Sequence, residues 1–141
     1  MKKVIFSLLL AFGMIATVNA QKAKYLPIAA GDTVITSSSL DTVFKAIPAT
    51  GAWRTLTVGV DGTKVSGTIT AKAYLYGSLN GGLTYNLLDS TTAFANSAGL
   101  QTKFIEKTTV GYDLYRVQVR QPTSAGSTES LAVKVWYLFR P

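Results

Sequence analysis

The chain has 141 residues, with 14 Lys and Arg against seven Asp and Glu, and it contains neither histidine nor cysteine. Without imidazole or thiol groups, a Ser–His–Asp triad, a cysteine nucleophile, disulfides and the usual ligands of zinc, haem and iron–sulfur clusters are excluded. The net charge of +7 is spread singly along the chain, whereas nucleic-acid binders concentrate charge on one element, so nucleic acid is disfavoured as a partner. We therefore expect no cofactor and no metal.

The first twenty residues have the organisation of a secretory signal peptide. Lys2 and Lys3 precede an uncharged stretch from Val4 to Val18, and small residues lead to a cleavage point after Ala20. As a helix this stretch rises about 22 Å, less than the roughly 30 Å hydrocarbon layer, which disfavours a permanent membrane span. We expect an exported protein (periplasmic, secreted or at the cell surface) with no transmembrane span after signal removal.

The remaining 121 residues carry a net charge of +5 and suit a single domain. Residues 21–31 contain Pro27 and Gly31, which break regular structure, and this segment predicts an extended leader. Residues 32–141 then form the domain.

Apolar and polar side chains alternate through most of that domain, which is the pattern of sheets with one buried face. No helical periodicity follows residue 20. The pattern predicts an all-β fold, a single antiparallel β-sandwich of jelly-roll or immunoglobulin-like type with about eight strands. The predicted strands are residues 33–36, 41–47, 53–60, 64–77, 83–89, 101–107, 112–120 and 130–139.

Two glycine-containing turns organise the predicted strands. Asp61-Gly62 stands between two alternating runs and predicts a tight hairpin, because a type I′ turn needs positive φ at both central residues. Asn80-Gly81-Gly82 predicts a second hairpin. The alternating run from Glu129 to Pro141 further raises the hypothesis of a terminal strand that pairs with the open sheet edge of a neighbouring molecule.

The stretch from Tyr74 to Asp89, with its Gly-Ser strand end and Asn-Gly turn, resembles a hairpin of small β-sandwich proteins of bacteriophage virions. The segment from Tyr112 to Val119 is similar to the strand that closes the sheet in those proteins, and the signal ending in Ala20 is similar to signals of Bacteroidota. The resemblance implies a virion-associated or surface-displayed structural role with no catalytic residues. Export departs from this family, whose members mostly assemble in the cytoplasm.

Aromatic residues are the best candidates for a binding surface. Tyr74 and Tyr76 share a predicted strand face with Lys72, and Trp136 shares one with Lys134. A lysine on the same face indicates contact with water, and exposed rings on a sheet anchor protein partners or stack on sugars. Packing within the fold is the alternative, because aromatic residues are ordinary strand formers and a lysine stem reaches past buried rings.

The carboxylates offer a weaker alternative. A glycosidase needs two of them about 5–10 Å apart, but each acidic residue here stands in a turn or near a strand end, where a structural role suffices. We therefore expect a non-enzymatic structural or display protein that acts through self-association or contacts with other structural proteins. A glycan- or envelope-binding module using Tyr74, Tyr76 and Trp136 is the first alternative, and a small Asp/Glu-dependent hydrolase is the second.

Overall fold

The computed structural model describes residues 24–25, 34–36, 41–43, 46–49, 53–121 and 129–140. These residues form ten strands and no helix. The strands are β1 (Lys24–Tyr25), β2 (Val34–Thr36), β3 (Asp41–Val43), β4 (Ile47–Pro48), β5 (Thr55–Ser66), β6 (Lys72–Ser78), β7 (Asn86–Ser90), β8 (Leu100–Lys107), β9 (Leu114–Arg120) and β10 (Ser130–Arg140). Within this part of the chain there is accordingly no helix with the length and apolar character to cross a membrane.

The strands form two antiparallel sheets. In sheet A, β10 is central: β5 pairs with one side of it, β1 and β2 pair with the other, and β8 lies beyond β5. In sheet B, β9 takes the corresponding place, with β6 and then β7 on one side and β3 and β4 on the other. The all-β prediction is confirmed.

One apolar core lies between the two sheets, an arrangement consistent with a β-sandwich. Alternate side chains of each long strand point into it, as period-two patterning requires. The contributions of sheet A are Leu56, Val58, Val60, Ile105, Leu131, Val133 and Val135, and those of sheet B are Ile47, Ala73, Leu75, Tyr115, Val117 and Val119. At one end of the core, Trp53 stacks on Phe139 with ring centroids 5.7 Å apart.

The predicted hairpin at Asp61-Gly62 is wrong, because β5 runs through both residues without a turn. Gly62 pairs with Val133 on one side and Gln101 on the other. Its missing side chain makes room for the buried ring of Phe94, since a Cβ atom at Gly62 would lie 2.7 Å from the ring. Two neighbouring strands and this close packing outweigh the local turn preference of the dipeptide.

The chain leaves β5 later, at Gly67, which has a φ of +67°. The segment that follows crosses to sheet B and is held by the buried side chain of Gln121. The Thr70 amide donates a hydrogen bond to Gln121 Oε1 (3.1 Å), and Gln121 Nε2 donates to the Thr68 carbonyl (3.2 Å) and to Glu129 Oε2 (3.2 Å). The predicted single strand over 64–77 is therefore two strands in two sheets.

The hairpin predicted around Asn80-Gly81-Gly82 is present between β6 and β7, with a longer loop than the sequence indicated. Gly81 and Gly82 both have positive φ, 67° and 92°. Ser78 Oγ accepts a hydrogen bond from the Gly82 amide (2.9 Å), and Asn80 Oδ1 accepts one from the Thr84 amide (3.0 Å). These side chains replace the cross-strand hydrogen bonds of a tight turn, so β7 begins only at Asn86.

The hypothesis that the last strand pairs with a neighbouring molecule stays a prediction. Within the chain, β5 pairs along the whole of β10 on one side, and on the other side β2 pairs with residues 130–132 and β1 with residues 136–137. The predicted signal peptide, residues 1–20, lies outside the described residues. Of the predicted leader, residues 21–31, only Lys24–Tyr25 is described, and it pairs with Tyr137 and Trp136 on β10.

Candidate functional site

The five candidate residues lie on the two opposite outer surfaces of the molecule. Trp136 and Lys134 alternate with core residues of β10 and so point outward from sheet A. Lys72, Tyr74 and Tyr76 point outward from sheet B in the same way. The structure therefore does not bring the three rings together, and a single glycan platform built from Tyr74, Tyr76 and Trp136 is not formed.

On sheet A the rings of Trp136 and Phe104 form what we call the aromatic face, together with Leu100 and Leu138. Trp136 and Phe104 are the register partners of Gly59 from opposite sides, and their ring centroids lie 5.7 Å apart with an interplanar angle of 74°. A Cβ atom at Gly59 would come within 2.2 Å of the indole, so the indole lies across the glycine. Phe104 remains 60% exposed and Leu100 70% exposed.

Charged residues of both signs lie at the two ends of the aromatic face, with Lys134 opposite Asp61 at one end and Arg140 close to Glu106 at the other. Lys134 and Arg140 extend from β10, whereas Asp61 and Glu106 extend from β5 and β8. Asp61 Oδ1 accepts a hydrogen bond from Thr102 Oγ1 (2.8 Å), and Glu106 lies 3.8 Å from Arg140. The two aromatic rings therefore lie between two groups of charged residues, each of which contains both signs.

On sheet B, tyrosines and arginines alternate across β6 and β9, and we call this surface the tyrosine–arginine face. The guanidinium carbon of Arg116 lies 4.1 Å from the ring centroid of Tyr85 and 5.4 Å from that of Tyr76. The guanidinium carbon of Arg120 lies 5.9 Å from the ring centroid of Tyr74. All three distances are within the range of cation–π attraction.

The loop from residue 79 to 85 determines where Tyr85 lies. Two hydrogen bonds between Asn80 and Thr84 hold the turn of this loop, which returns the chain toward sheet B. Gly82 lies close to Tyr85, since a Cβ atom added to this glycine would be 3.0 Å from the Tyr85 hydroxyl. Leu114 at the start of β9 packs against the same glycine, where the added Cβ would lie 3.3 Å from its methyl carbon. Tyr85 is therefore held over Arg116 from outside the sheet.

Sequence reasoning missed Phe104, Tyr85 and Arg116 as surface residues of interest. Alternation along β8 and β9 places Phe104 and Arg116 on the outer faces, so the exposure of these two side chains could have been predicted from the sequence. The position of Tyr85 could not, because this residue was assigned to a strand and it lies in a loop. Its contact with Arg116 depends on the tertiary path of that loop.

Four carboxylates, those of Asp61, Asp89, Glu106 and Glu129, have side-chain partners within the fold. Asp89 Oδ2 lies 2.9 Å from Lys107 Nζ, which links the edge strands β7 and β8, and the hydrogen bond from Lys107 lowers the pKa of Asp89 below 3.8. Glu129 accepts a hydrogen bond from Gln121. In the part of the chain that the structure describes, no group of three acidic side chains is placed to hold a metal ion.

No protein-family profile matches this chain, and no curated protein sequence matches it.

Proposed function

We propose that the chain is a jelly-roll β-sandwich that acts as a non-catalytic structural or display component, exported or virion-associated, through protein–protein contacts. The jelly-roll type is supported by the strand order, with β2 beside β10, then β5 and β8 in one sheet, and with β3 and β4 beside β9, then β6 and β7 in the other. Apart from the β6–β7 hairpin and the step from β3 to β4, successive strands from β2 onward change sheet, as in a wrapped double Greek key.

The observation that carries the proposed function is the exposed aromatic face. Exposing large apolar side chains to water on the outside of a sheet costs free energy. Aromatic residues are also enriched at the centres of protein interfaces. Phe104 is more than half exposed, and Trp136 beside it is half-buried. Leu100, four residues before Phe104 on the same strand, is also more than half exposed. A partner covering this face removes that apolar surface from water.

We infer that the partner is a second copy of the chain, because the face is complementary to itself. In sheet A, β5 lies between β10 and β8. If two copies face each other across a twofold axis that runs above β5 and parallel to the strands, β10 of one copy lies over β8 of the other. Trp136 and Phe104 lie at one level of the sheet, so each Trp136 then meets a Phe104.

Sedimentation velocity over a range of protein concentrations tests this proposal. We expect a reversible dimer, and we expect Phe104→Glu to weaken it at least about tenfold, because a carboxylate replaces an apolar anchor at the centre of the interface. Leu83→Glu is the matched control: Leu83 is 86% exposed but lies in the loop before β7, so its variant dimerises like the unchanged protein. A monomer at every concentration, or equal weakening by both variants, contradicts the proposal.

A further inference from the structure

The loop between β6 and β7 contains the only Asn-Gly dipeptide of the chain, Asn80-Gly81. In such a dipeptide the backbone nitrogen of the glycine is open to reaction with the side-chain amide of the asparagine, because the glycine has no side chain to shield it. Asn80 and Gly81 are both exposed, and no atom beyond the chain neighbours lies within 4 Å of a Cβ atom at Gly81. Solvent therefore reaches both reacting groups.

Hydrogen bonds of the loop hold the side-chain amide of Asn80 in place. Asn80 Oδ1 accepts hydrogen bonds from Ser78 Oγ (2.9 Å) and from the Thr84 amide (3.0 Å), and Asn80 Nδ2 donates one to Thr84 Oγ1 (2.8 Å). Ser78 and Thr84 stand where the chain enters and leaves the loop, whereas Gly81 stands midway between them. The amide of Asn80 is therefore directed to the base of the loop, and Gly81 lies at its tip.

We propose that Asn80 is a site of spontaneous deamidation, at which the reaction is suppressed until the loop opens. In the first step the Gly81 nitrogen bonds to Asn80 Cγ, the bond from Cγ to Nδ2 breaks, and Nδ2 leaves as ammonia with the proton of the Gly81 amide. Water then adds to one of the two carbonyl carbons of the resulting succinimide ring and opens it to aspartate or isoaspartate.

Ring closure is incompatible with the hydrogen bonds of the folded loop. Asn80 Cγ has to turn from Ser78 and Thr84 toward the Gly81 nitrogen, and Nδ2, which binds Thr84, is the atom that departs. Each hydrogen bond favours the closed loop by about twofold to tenfold. The three together therefore slow the reaction at least about tenfold, and its rate follows the local opening of the loop.

The two products change the loop to different extents. Isoaspartate carries the main chain through its former side chain, which adds one carbon between Ser78 and Thr84 and changes the spacing on which their hydrogen bonds depend. Aspartate keeps the main chain and the acceptor oxygen. Because Tyr85 follows Thr84 directly, the isoaspartate form no longer holds Tyr85 over Arg116. Deamidation to isoaspartate is thus a one-way change of the tyrosine–arginine face.

Peptide mapping by mass spectrometry after incubation in mildly alkaline buffer tests the proposal, with the folded protein compared with the protein in guanidinium chloride. We expect Asn80 to deamidate at least about tenfold more slowly in the folded protein. Thr84→Val keeps the shape of the side chain but removes the acceptor for Nδ2, so it speeds the reaction of the folded protein about twofold to tenfold. Its rate in guanidinium chloride stays unchanged, because Gly81 still follows Asn80.

Thr92→Val is the matched control, since Thr92 Oγ1 also accepts a side-chain hydrogen bond, from Lys103 Nζ (3.1 Å), outside the loop. We expect its Asn80 rate to stay within about twofold of that of the unchanged protein. Asn96, whose Oδ1 accepts hydrogen bonds from Lys64 and from the Ile69 amide, reports general loosening of the fold in the same digest. The rate at Asn96 is unchanged in Thr84→Val if the effect is local.

The proposal is overturned if Asn80 deamidates as fast in the folded protein as in guanidinium chloride, or faster. It is also overturned if Thr84→Val leaves the folded rate unchanged, or if Asn96 accelerates as much as Asn80 does. The isoaspartate form, separated chromatographically, is compared by calorimetry with Asn80→Asp, which has the same charge and an ordinary main chain. We expect the isoaspartate form to melt at the lower temperature, and equal melting temperatures contradict the proposed change of the face.

Discussion

The indole of Trp136 lies across Gly59, its register partner on β5, so closely that a Cβ atom on the glycine would sit 2.2 Å from the indole Cε2 and Cζ2 atoms. The glycine has no positive φ that would require it. Its role is therefore to leave space on the outer surface of sheet A, and a large ring occupies that space. This relationship keeps Trp136 half-buried while Phe104, on the other side of the glycine, stays exposed.

Gly59→Ala displaces the indole and lowers the free energy of unfolding by about 1–3 kcal/mol, the usual cost of inserting a methyl group into a packed contact. Urea denaturation measures the change. Gly111→Ala is the control, because nothing lies within 4 Å of a Cβ atom at that position. Equal stability of the two variants would show that the indole moves away without cost.

Gly67 and Gly81 have the same φ of +67° but different surroundings, and they form a second matched pair. Gly81→Ala costs about 1–2 kcal/mol of unfolding free energy through the left-handed backbone alone, since no atom lies within 4 Å of the added Cβ. Gly67→Ala costs more, because its Cβ would lie 2.6 Å from the backbone Cα of Glu129. A thermal or urea unfolding series that ranks Gly81→Ala as the more damaging change is incompatible with this geometry.

Truncation after Thr128 removes β10 and leaves β5, β1 and β2 without their common partner. The core loses Leu131, Val133 and Val135 at the same time. We expect the truncated chain to lose its cooperative thermal transition by circular dichroism, since a central strand contributes to both pairing and core. A sharp transition in the truncated monomer would mean that β10 is dispensable.

The ion pair between Asp89 and Lys107 makes a pH-dependent contribution to stability. The pKa of Asp89 is lower in the folded protein than the unfolded value of 3.8, so the contribution is present above pH 3.8 and is lost as the pH falls through the folded pKa. For an exposed pair we expect about 0.2–1 kcal/mol. Comparing urea unfolding of Asp89→Asn with that of the unchanged protein measures it: the stability difference is present at neutral pH and vanishes in acid. A difference that persists in strong acid would assign the effect to something other than charge.

The alternating elements, and the buried side of each, could be predicted from the order of the amino acids. Along β10, Val133, Val135 and Phe139 face inward and Trp136 faces outward, as alternation predicted. This inference succeeds because a period of two is a local property of an extended chain with one face in the core. The turn at Gly81 could be predicted for a similar local reason, because glycine readily adopts the positive φ that the turn has.

Which elements contact one another could not be predicted in this way, because it depends on how the whole chain packs. Asp61-Gly62 has the composition of a turn, yet it lies in the middle of β5, because strands on both sides and the ring of Phe94 stabilise the extended form. Tyr74 and Trp136 belong to similar alternating patterns, but the sheets to which they belong present them on opposite surfaces. The contact between Tyr85 and Arg116 joins residues 31 positions apart through a loop. Such contacts depend on long-range packing, which local periodicity does not encode.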